Sequence, residues 1–352
     1  MANRTLIVIG GGIIGHMVAW KACAADPSLK VTLIERDLPG AGASARAAGL
    51  HFPFSRTPAG REFSLSSQQF YQSALRLVPA LPITSLDLRI HCAATGHENL
   101  QDVVTDGAQL DMDPEGSATA AALGSHLPVW RAVGANRADV LGLVIAIRRI
   151  LAGRVHIVDG LMVRTILEND DGVAVETDDG CCLTANRLVL APGPWALDAP
   201  FLPYTDALGI RIKRIVAFHV DEVVRRTAVD LFWEADAFFM PRSDDGTLFS
   251  FTRLEWDVSP DDAGRGISAA DRDEAEAVIA HVAPRLSGKL LGGQTFCDAY
   301  SSNRVPIATA VGTGGRIAFA GAANGAGYRF APAIADRALA SIGLESGGQH
   351  LI

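Results

Sequence analysis

The stretch Gly10-Gly11-Gly12-Ile13-Ile14-Gly15 constrains this chain more than any other. It follows a β-branched run, Thr5 to Ile9, and opens a helical pattern from Ile13 to about Ala24. A second apolar run, Lys30 to Ile34, ends on Glu35. Strand, tight turn, helix and strand make the first half of a βαβ unit. In that setting Gly10 permits the sharp turn, Gly12 lets a pyrophosphate approach the backbone, and Gly15 lets the helix pack on the strand. The helix N-terminus offers unpaired N–H groups and a positive dipole end to phosphates. Glu35 falls at the spacing of about 20 residues where a carboxylate accepts hydrogen bonds from ribose hydroxyls and repels a 2′-phosphate. Ile13, Ile14 and Arg36 are the immediate neighbours in this candidate nucleotide site. The hexapeptide alone does not decide between FAD and NAD.

The 352 residues allow one large domain or two intimately connected ones. With 49% hydrophobic and 20% charged residues the chain has the balance of a globular protein that buries a substantial core. A net charge of −8 without any lysine/arginine-rich block argues against a nucleic-acid partner. The longest apolar stretches, such as Leu6 to Ile14 and Leu141 to Ile147, are far short of the roughly 20 residues that span a bilayer, and the N-terminus does not read as a signal peptide. The five cysteines are odd in number and lack metal-ligand spacing, so a cytoplasmic protein with reduced thiols is expected.

Further along, Gly40 to Gly49 reads as a small-residue loop, and Phe63, Phe70, Ala74 and Leu77 share one face of a helix. From about residue 81 the texture is mixed and strand-rich, with Asp, Pro and Gly punctuation at 111–117. Val140 to Leu151 reads as an amphipathic helix; short strands follow around His156 and Val163, then a hairpin pairing Val173–Thr177 with Cys182–Thr184. Arg187 to Ala191 is a buried strand running into Pro192-Gly193-Pro194-Trp195. Residues 210–305 are strands with one helical insert at Ala269 to Ala283. A strand (Ile317 to Ala320), a glycine loop (Gly321 to Gly327) and a helix from about Pro332 to Ile342 close the pattern.

Four segments, in order, carry a resemblance. Gly42-Ala43-Ser44-Ala45-Arg46-Ala47-Ala48-Gly49 resembles the loop after the second strand in the D-amino-acid oxidase-like flavoproteins, the group of glycine oxidase and monomeric sarcosine oxidase. Arg187 to Trp195 is similar to that family's strand ending in A-x-G-x-W. Phe239-Met240-Pro241-Arg242, followed by Asp245-Gly246, resembles its substrate-domain hairpin, and Ala320 to Ala333 its C-terminal glycine loop and helix. The resemblance implies FAD as cofactor, contacted by Gly10, Gly12, Ile13, Ile14, Gly15, Glu35, Arg36, Ser44, Ala48, Gly49, Val163, Ala191, Gly193, Trp195, Gly325, Gly327, Tyr328 and Arg329. A helix beginning near Pro332 would point its N-terminus at the flavin edge where negative charge gathers on reduction.

The resemblance also implies a chemistry with little acid–base machinery: an amine's lone pair helps expel a hydride to the flavin, and the imine hydrolyses in water. Arg329 falls where relatives carry a lysine that clamps the substrate carboxylate, and Arg56 where they present a second arginine. Both compete with the plainer reading of interface arginines. His51 is the candidate base for the rival reaction, oxidation of a 2-hydroxy acid, against the reading of a satisfied structural histidine. Tyr300 offers a phenol to the substrate. Where relatives place a carboxylate-binding arginine this chain has Asp298, an anion that would repel a carboxylate and favour a cationic amine; Arg329 and Arg304 are then left to clamp. Cys297 is one residue away from a position of covalent flavin attachment, an offset that turns its side chain to the other face of a strand. Relatives carry a lysine in the segment matching Leu248 to Phe251, which has none here.

The expected architecture is α/β: a Rossmann-type FAD-binding domain (1–80, 135–200 and 310–352) interleaved with a mixed-sheet α+β substrate domain (81–134 and 201–309). The expected partners are an amine or amino-acid substrate and oxygen or another electron acceptor. The expected reaction is oxidation of a C–N bond; its rivals are oxidation of a 2-hydroxy acid, a flavin-binding subunit without turnover of its own, and an NAD-dependent enzyme, which the C-terminal glycine loop and helix argue against.

Overall fold

The structure is a computed structural model that describes residues 4–93, 97–105, 109–222, 227–242 and 246–344. Asp245 of the substrate-domain hairpin motif and residues 345–352 lie outside the described residues.

The chain begins with β1 (Thr5–Ile9), α1 (Ile13–Ala25) and β2 (Lys30–Ile34). The small-residue loop contains a one-turn helix, α2 (Ala43–Arg46), and is followed by the two-residue strand β3 (Leu50–His51) and by α3 (Pro58–Leu77). Thr57 caps α3 by accepting the Gly60 amide, with Pro58 at the first helical position, where its missing N–H costs nothing. The mixed segment resolves into β4 (Ile83–His91), α4 (His97–Val103), β5 (Leu110–Met112), α5 (Gly116–Leu123) and β6 (Val129–Ala138). Next come α6 (Val140–Ile150), β7 (Val155–Val158), β8 (Val163–Asn169), β9 (Gly172–Thr177), β10 (Cys182–Ala185), β11 (Arg187–Leu190) and α7 (Leu202–Thr205). The last part holds β12 (Arg211–Val220), β13 (Ala228–Phe232), β14 (Ala237–Pro241), β15 (Thr247–Phe251), α8 (Ala269–Val282), β16 (Leu290–Tyr300), β17 (Ile307–Val311), β18 (Ile317–Gly321) and α9 (Gly327–Ser341).

Two large sheets organise these elements. A six-stranded sheet has the order β17-β18-β11-β1-β2-β7, parallel except where β17 meets β18. Alternation along β1 divides the core: Leu6 and Val8 face the helices α1, α6 and α9, whereas Ile7 and Ile9 face the small sheet β10-β9-β8. Sides this thoroughly covered explain why β1 and β11 read as unbroken apolar runs. The second sheet, β16-β12-β15-β14-β13-β4-β6-β3 with β5 on β6, is mixed. One of its faces buries Phe218, Phe232, Phe239 and Phe249 against α8. Strand β3 belongs to this sheet and β17 to the six-stranded one.

The C-terminal helix departs from the expected start. It begins at Gly327, and Pro332 lies inside it. Proline lacks the N–H that would bond the carbonyl four residues back, Tyr328 O. That carbonyl is not orphaned, because the buried Tyr71 hydroxyl donates to it at 2.6 Å from α3. The Tyr71 and Tyr328 rings stack at 4.8 Å, and α3 packs along α9.

Candidate active site

A cavity of about 980 Å³ runs between the two large sheets, at the upper end of the volumes small-molecule sites occupy. At one end lies the glycine turn. Gly10 has φ +104°, and a Cβ there would overlap the Ala191 carbonyl, so only glycine lets β1 turn beside β11. A Cβ on Gly15 would strike the Gly10 carbonyl, which explains the small residue where α1 crosses the turn. Gly12 meets nothing closer than Ser44 Oγ at 3.2 Å, so its open side belongs to the cavity. Ser44 Oγ accepts the Ile13 amide at 3.0 Å and ties the small-residue loop to the start of α1.

Glu35 sits at the end of β2 with both oxygens engaged: Oε2 accepts the Gly11 amide (2.6 Å) and Oε1 the Asp37 amide (2.8 Å). Burial pushes its pKa up, opposed by those two amides. Two bonds leave further lone pairs on a carboxylate that still lines the cavity. Beside it the Arg36 guanidinium lies 3.7 Å from the Trp195 ring, and Val163 closes this end. Ala48, Gly49, Ala191 and Gly193 continue the wall, and Gly325, Gly327 and Tyr328 bring the start of α9 to it. Of the residues expected at the cofactor, Gly15 alone does not line the cavity; it packs helix on turn behind it.

The other end is the inner face of the nine-stranded sheet. Alternation along β12 presents Arg211, Lys213 and Ile215, and along β16 Phe296, Asp298 and Tyr300. Phe238 and Trp233 extend this wall, and Phe52 and Phe54 stack at 4.2 Å across from it. Arg329 is buried among these rings, with its guanidinium 4.0 Å from the Phe52 ring and Nη2 donating to Ser64 Oγ at 3.3 Å. Its Nε has no partner, no carboxylate pairs with it among the described residues, and burial pulls its pKa down to about 9. Arg56 lies at the cavity rim, 4.3 Å from the Trp233 ring and 3.8 Å from Asp236, and donates to Trp233 O. The Tyr300 ring meets Trp256 edge-on, and burial holds its phenol well above the usual range.

His51 does not reach the cavity. Leu50 and Phe52 line it, so the residue between them points to the opposite side, where its ring meets Tyr71 edge-on at 6.3 Å. Burial and the nearby Arg329 cation drive its pKa down to about 3, against weaker contacts to the Arg329 backbone and the Gln68 side chain. It is a neutral, enclosed group and not a base facing a substrate. Cys297 likewise lies on the outward side of β16, buried, with its thiol pushed up to about 11.

The sequence reading missed Lys213, Trp233, Asp236, Phe238 and Trp256 as cavity residues. The segment Leu248 to Phe251 has no lysine, but the neighbouring strand β12 supplies Lys213, whose Nζ lies 5.2 Å from the Trp256 ring and 5.1 Å from the Tyr300 ring. Its legible signal was charge at alternating positions, Arg211 and Lys213, in a strand otherwise apolar toward the core.

A glycine-turn dinucleotide site opening into a polar and aromatic chamber is the layout of a dinucleotide-dependent oxidoreductase. The family model for DAO, FAD dependent oxidoreductase, matches residues 5–341, and the chain belongs to that family. It is an FAD-dependent oxidoreductase. Among solved structures it is similar to glycine oxidase from Geobacillus kaustophilus (15% identity, 97% of this chain and 95% of that one, TM-score 0.78). It is similar also to L-proline dehydrogenase from P. horikoshii (14%, 97% and 94%, 0.78) and to iminodiacetate oxidase from Chelativorans sp. BNC1 (17%, 97% and 96%, 0.75). A search of the curated proteins gave no match. No helix among the described residues is long and apolar enough to cross a membrane.

Proposed function

We propose that this enzyme oxidises the C–N bond of an amino acid or secondary amine to an imine. The observation that carries this reading is the pair of opposite demands in the chamber: a buried guanidinium, Arg329, and a cavity-lining carboxylate, Asp298, neither of which has an oppositely charged side chain in ion-pair contact among the described residues. A buried unpaired charge is costly, and a substrate carrying an anion and an amine relieves both.

The residues present fit FAD. Gly10, Gly12 and Ile13 would receive the pyrophosphate at the open start of α1, Glu35 a ribose, and Arg36, Val163 and Trp195 would surround the adenine end. Ala48, Gly49, Gly325, Gly327 and Tyr328 line the way towards the sheet face, where α9 presents its N-terminal turn. Bound FAD supplies the hydride acceptor. Arg329 holds and orients the acid group, and Arg56 adds positive charge at the rim. Phe52, Phe54 and Trp233 keep water from the reacting carbon, which prolongs the life of the imine until release. The 2-hydroxy-acid alternative loses its named base, since His51 faces away from the cavity. The unpaired cysteines support a reducing, cytoplasmic setting, and the acceptor that reoxidises the enzyme is oxygen or another oxidant.

The experiment is an absorption spectrum of the purified protein, then anaerobic addition of amines, amino acids and 2-hydroxy acids. Bleaching of the flavin bands by an amine class supports the reading. Bleaching by hydroxy acids alone, or by none of them, refutes it.

A further inference from the structure

Asp298 stands in a position with one unmet need. It is half-buried, and its remaining surface belongs to the cavity wall. Its Oδ1 accepts the amide of the next residue, Ala299, at 2.9 Å, and no side chain hydrogen-bonds it among the described residues. Lys213 lies directly across the β12–β16 pairing, yet its ammonium is turned over the Trp256 and Tyr300 rings and makes no ion pair with it. The strand end that carries Asp298 is pinned to the glycine loop before α9: Tyr300 bridges Ala323, and the Asn324 amide donates to Ala299 O. The carboxylate is therefore held at the seam between the substrate sheet and the loop leading into α9.

We propose that Asp298 receives the substrate's ammonium group and takes one of its protons, leaving the neutral amine that oxidation requires. This rests on the C–N reading above. An aliphatic amine is an ammonium ion in water at neutral pH, and its nitrogen then has no lone pair with which to expel hydride. On transfer an N–H bond breaks and an O–H bond forms on Asp298, while the pair stays on nitrogen. When the adjacent carbon gives up its hydride, that pair becomes the second bond of C=N; the carbon is oxidised and the FAD reduced, and Asp298 returns its proton to water as product leaves.

Burial raises the Asp298 pKa to about 6, against the Ala299 and Gly325 amides and the Lys213 charge, which favour the anion. A carboxylate with that affinity is ionised at neutral pH and attracts the ammonium; it is the weaker base of the two, so the proton it takes is a small equilibrium fraction that hydride loss draws forward. The other charged or titratable groups at this end of the chamber include Arg211 and Lys213 on β12, Tyr300 on β16, Asp236 before β14, Arg304 after β16, Arg56 at the rim and Arg329 on α9. Tyr300 keeps its proton at all these pH values because burial pushes it up.

The test uses the FAD-loaded protein and benzyltrimethylammonium, a cation with no lone pair and hence no turnover, measured by calorimetry. Wild type is expected to bind it near pH 7.5 and D298N to bind it about tenfold or more weakly, because the attraction between the carboxylate and the quaternary cation is lost, with D298E restoring most of the affinity. Binding to wild type should weaken about tenfold per unit below pH 6. FAD content and melting temperature report whether each variant folds. No binding by wild type, equal binding by D298N, or a flat profile between about pH 5 and 8 overturns the assignment. Anaerobic reduction by the amine panel separates the two claims. If amines bleach the flavin equally well in D298N, the C–N reading stands and the role of Asp298 falls. If no amine bleaches wild type, the C–N reading itself fails.

Discussion

The bond between Tyr71 and helix α9 makes a quantitative prediction. Removing the hydroxyl in Tyr71→Phe deletes the 2.6 Å bond to Tyr328 O and leaves that buried carbonyl without the N–H that Pro332 cannot provide. A buried acceptor left unsatisfied costs about 1–3 kcal/mol. Ring stacking on Tyr328 is kept, so little packing is lost. With an unfolding entropy of about 2.1 cal/mol/K per residue, that cost lowers the melting temperature of the FAD-loaded protein by roughly 1.5–4 °C. The sharper result comes from Pro332→Ala, which restores an N–H four residues after Tyr328. In that background Tyr71→Phe should cost about 0.5 kcal/mol or less, because the helix satisfies its own carbonyl. The assay is a double-mutant cycle by thermal and urea unfolding of all four proteins. Equal costs of Tyr71→Phe in both backgrounds would refute the claim that the tyrosine substitutes for the missing helical bond.

Other perturbations test other parts. Gly12→Ala meets only Ser44 Oγ, so the protein should fold with a melting temperature close to that of FAD-free wild type yet emerge colourless and take up FAD at least tenfold more weakly, whereas Gly15→Ala drives a methyl into the Gly10 carbonyl and should lower soluble yield and the FAD-free melting temperature as well; flavin absorbance per mole of protein and thermal scans read both. Asp271 caps α8 and is bonded twice by Arg214; burial pushes its pKa up, but Arg214 and Ser268 outweigh that and bring it down to about 2. Because the folded pKa is depressed, the stability it contributes is present above the unfolded value near 3.8 and is lost as pH falls towards about 2. Asp271→Asn should flatten the stability curve in that window, measured by urea midpoints across pH. His91 and Asp230 are wholly buried and hydrogen-bonded at 2.9 Å, so Asp230→Ala, which leaves His91 Nε2 without its partner, should destabilise by about 1–3 kcal/mol, visible as a lower unfolding midpoint.

What the sequence disclosed and what it hid follow from how far each constraint reaches. The turn at Gly10 to Gly15 was legible because its steric demands act within a strand, a turn and a helix that are adjacent in the chain. Helix α5 was hidden by the Asp113-Pro114-Glu115-Gly116 punctuation just before it. The start of α9 was misplaced because proline ordinarily marks a first turn, and the partner that lets it sit deeper, Tyr71, is 257 residues away. His51 was legible as a conspicuous residue but not by its facing, since a one-residue step along β3 separates the cavity from the core behind it. Lys213 and Asp298 could be paired only through the β12–β16 register, a long-range match that no local pattern specifies.

The order of the strands limits how this enzyme can be altered. The chain passes between the two large sheets four times, at β2 to β3, β6 to β7, β11 to β12 and β16 to β17. Neither sheet is a continuous stretch, so no single cut yields a cofactor module that could be joined to a different recognition module. Swapping one chamber wall for that of a relative would need several splices, one at each of these crossings. Diversification of such a scaffold is thus confined to residue-by-residue change on a fixed wall, at positions such as Lys213, Phe238 and Asp298, while the frame that grips the nucleotide stays as it is.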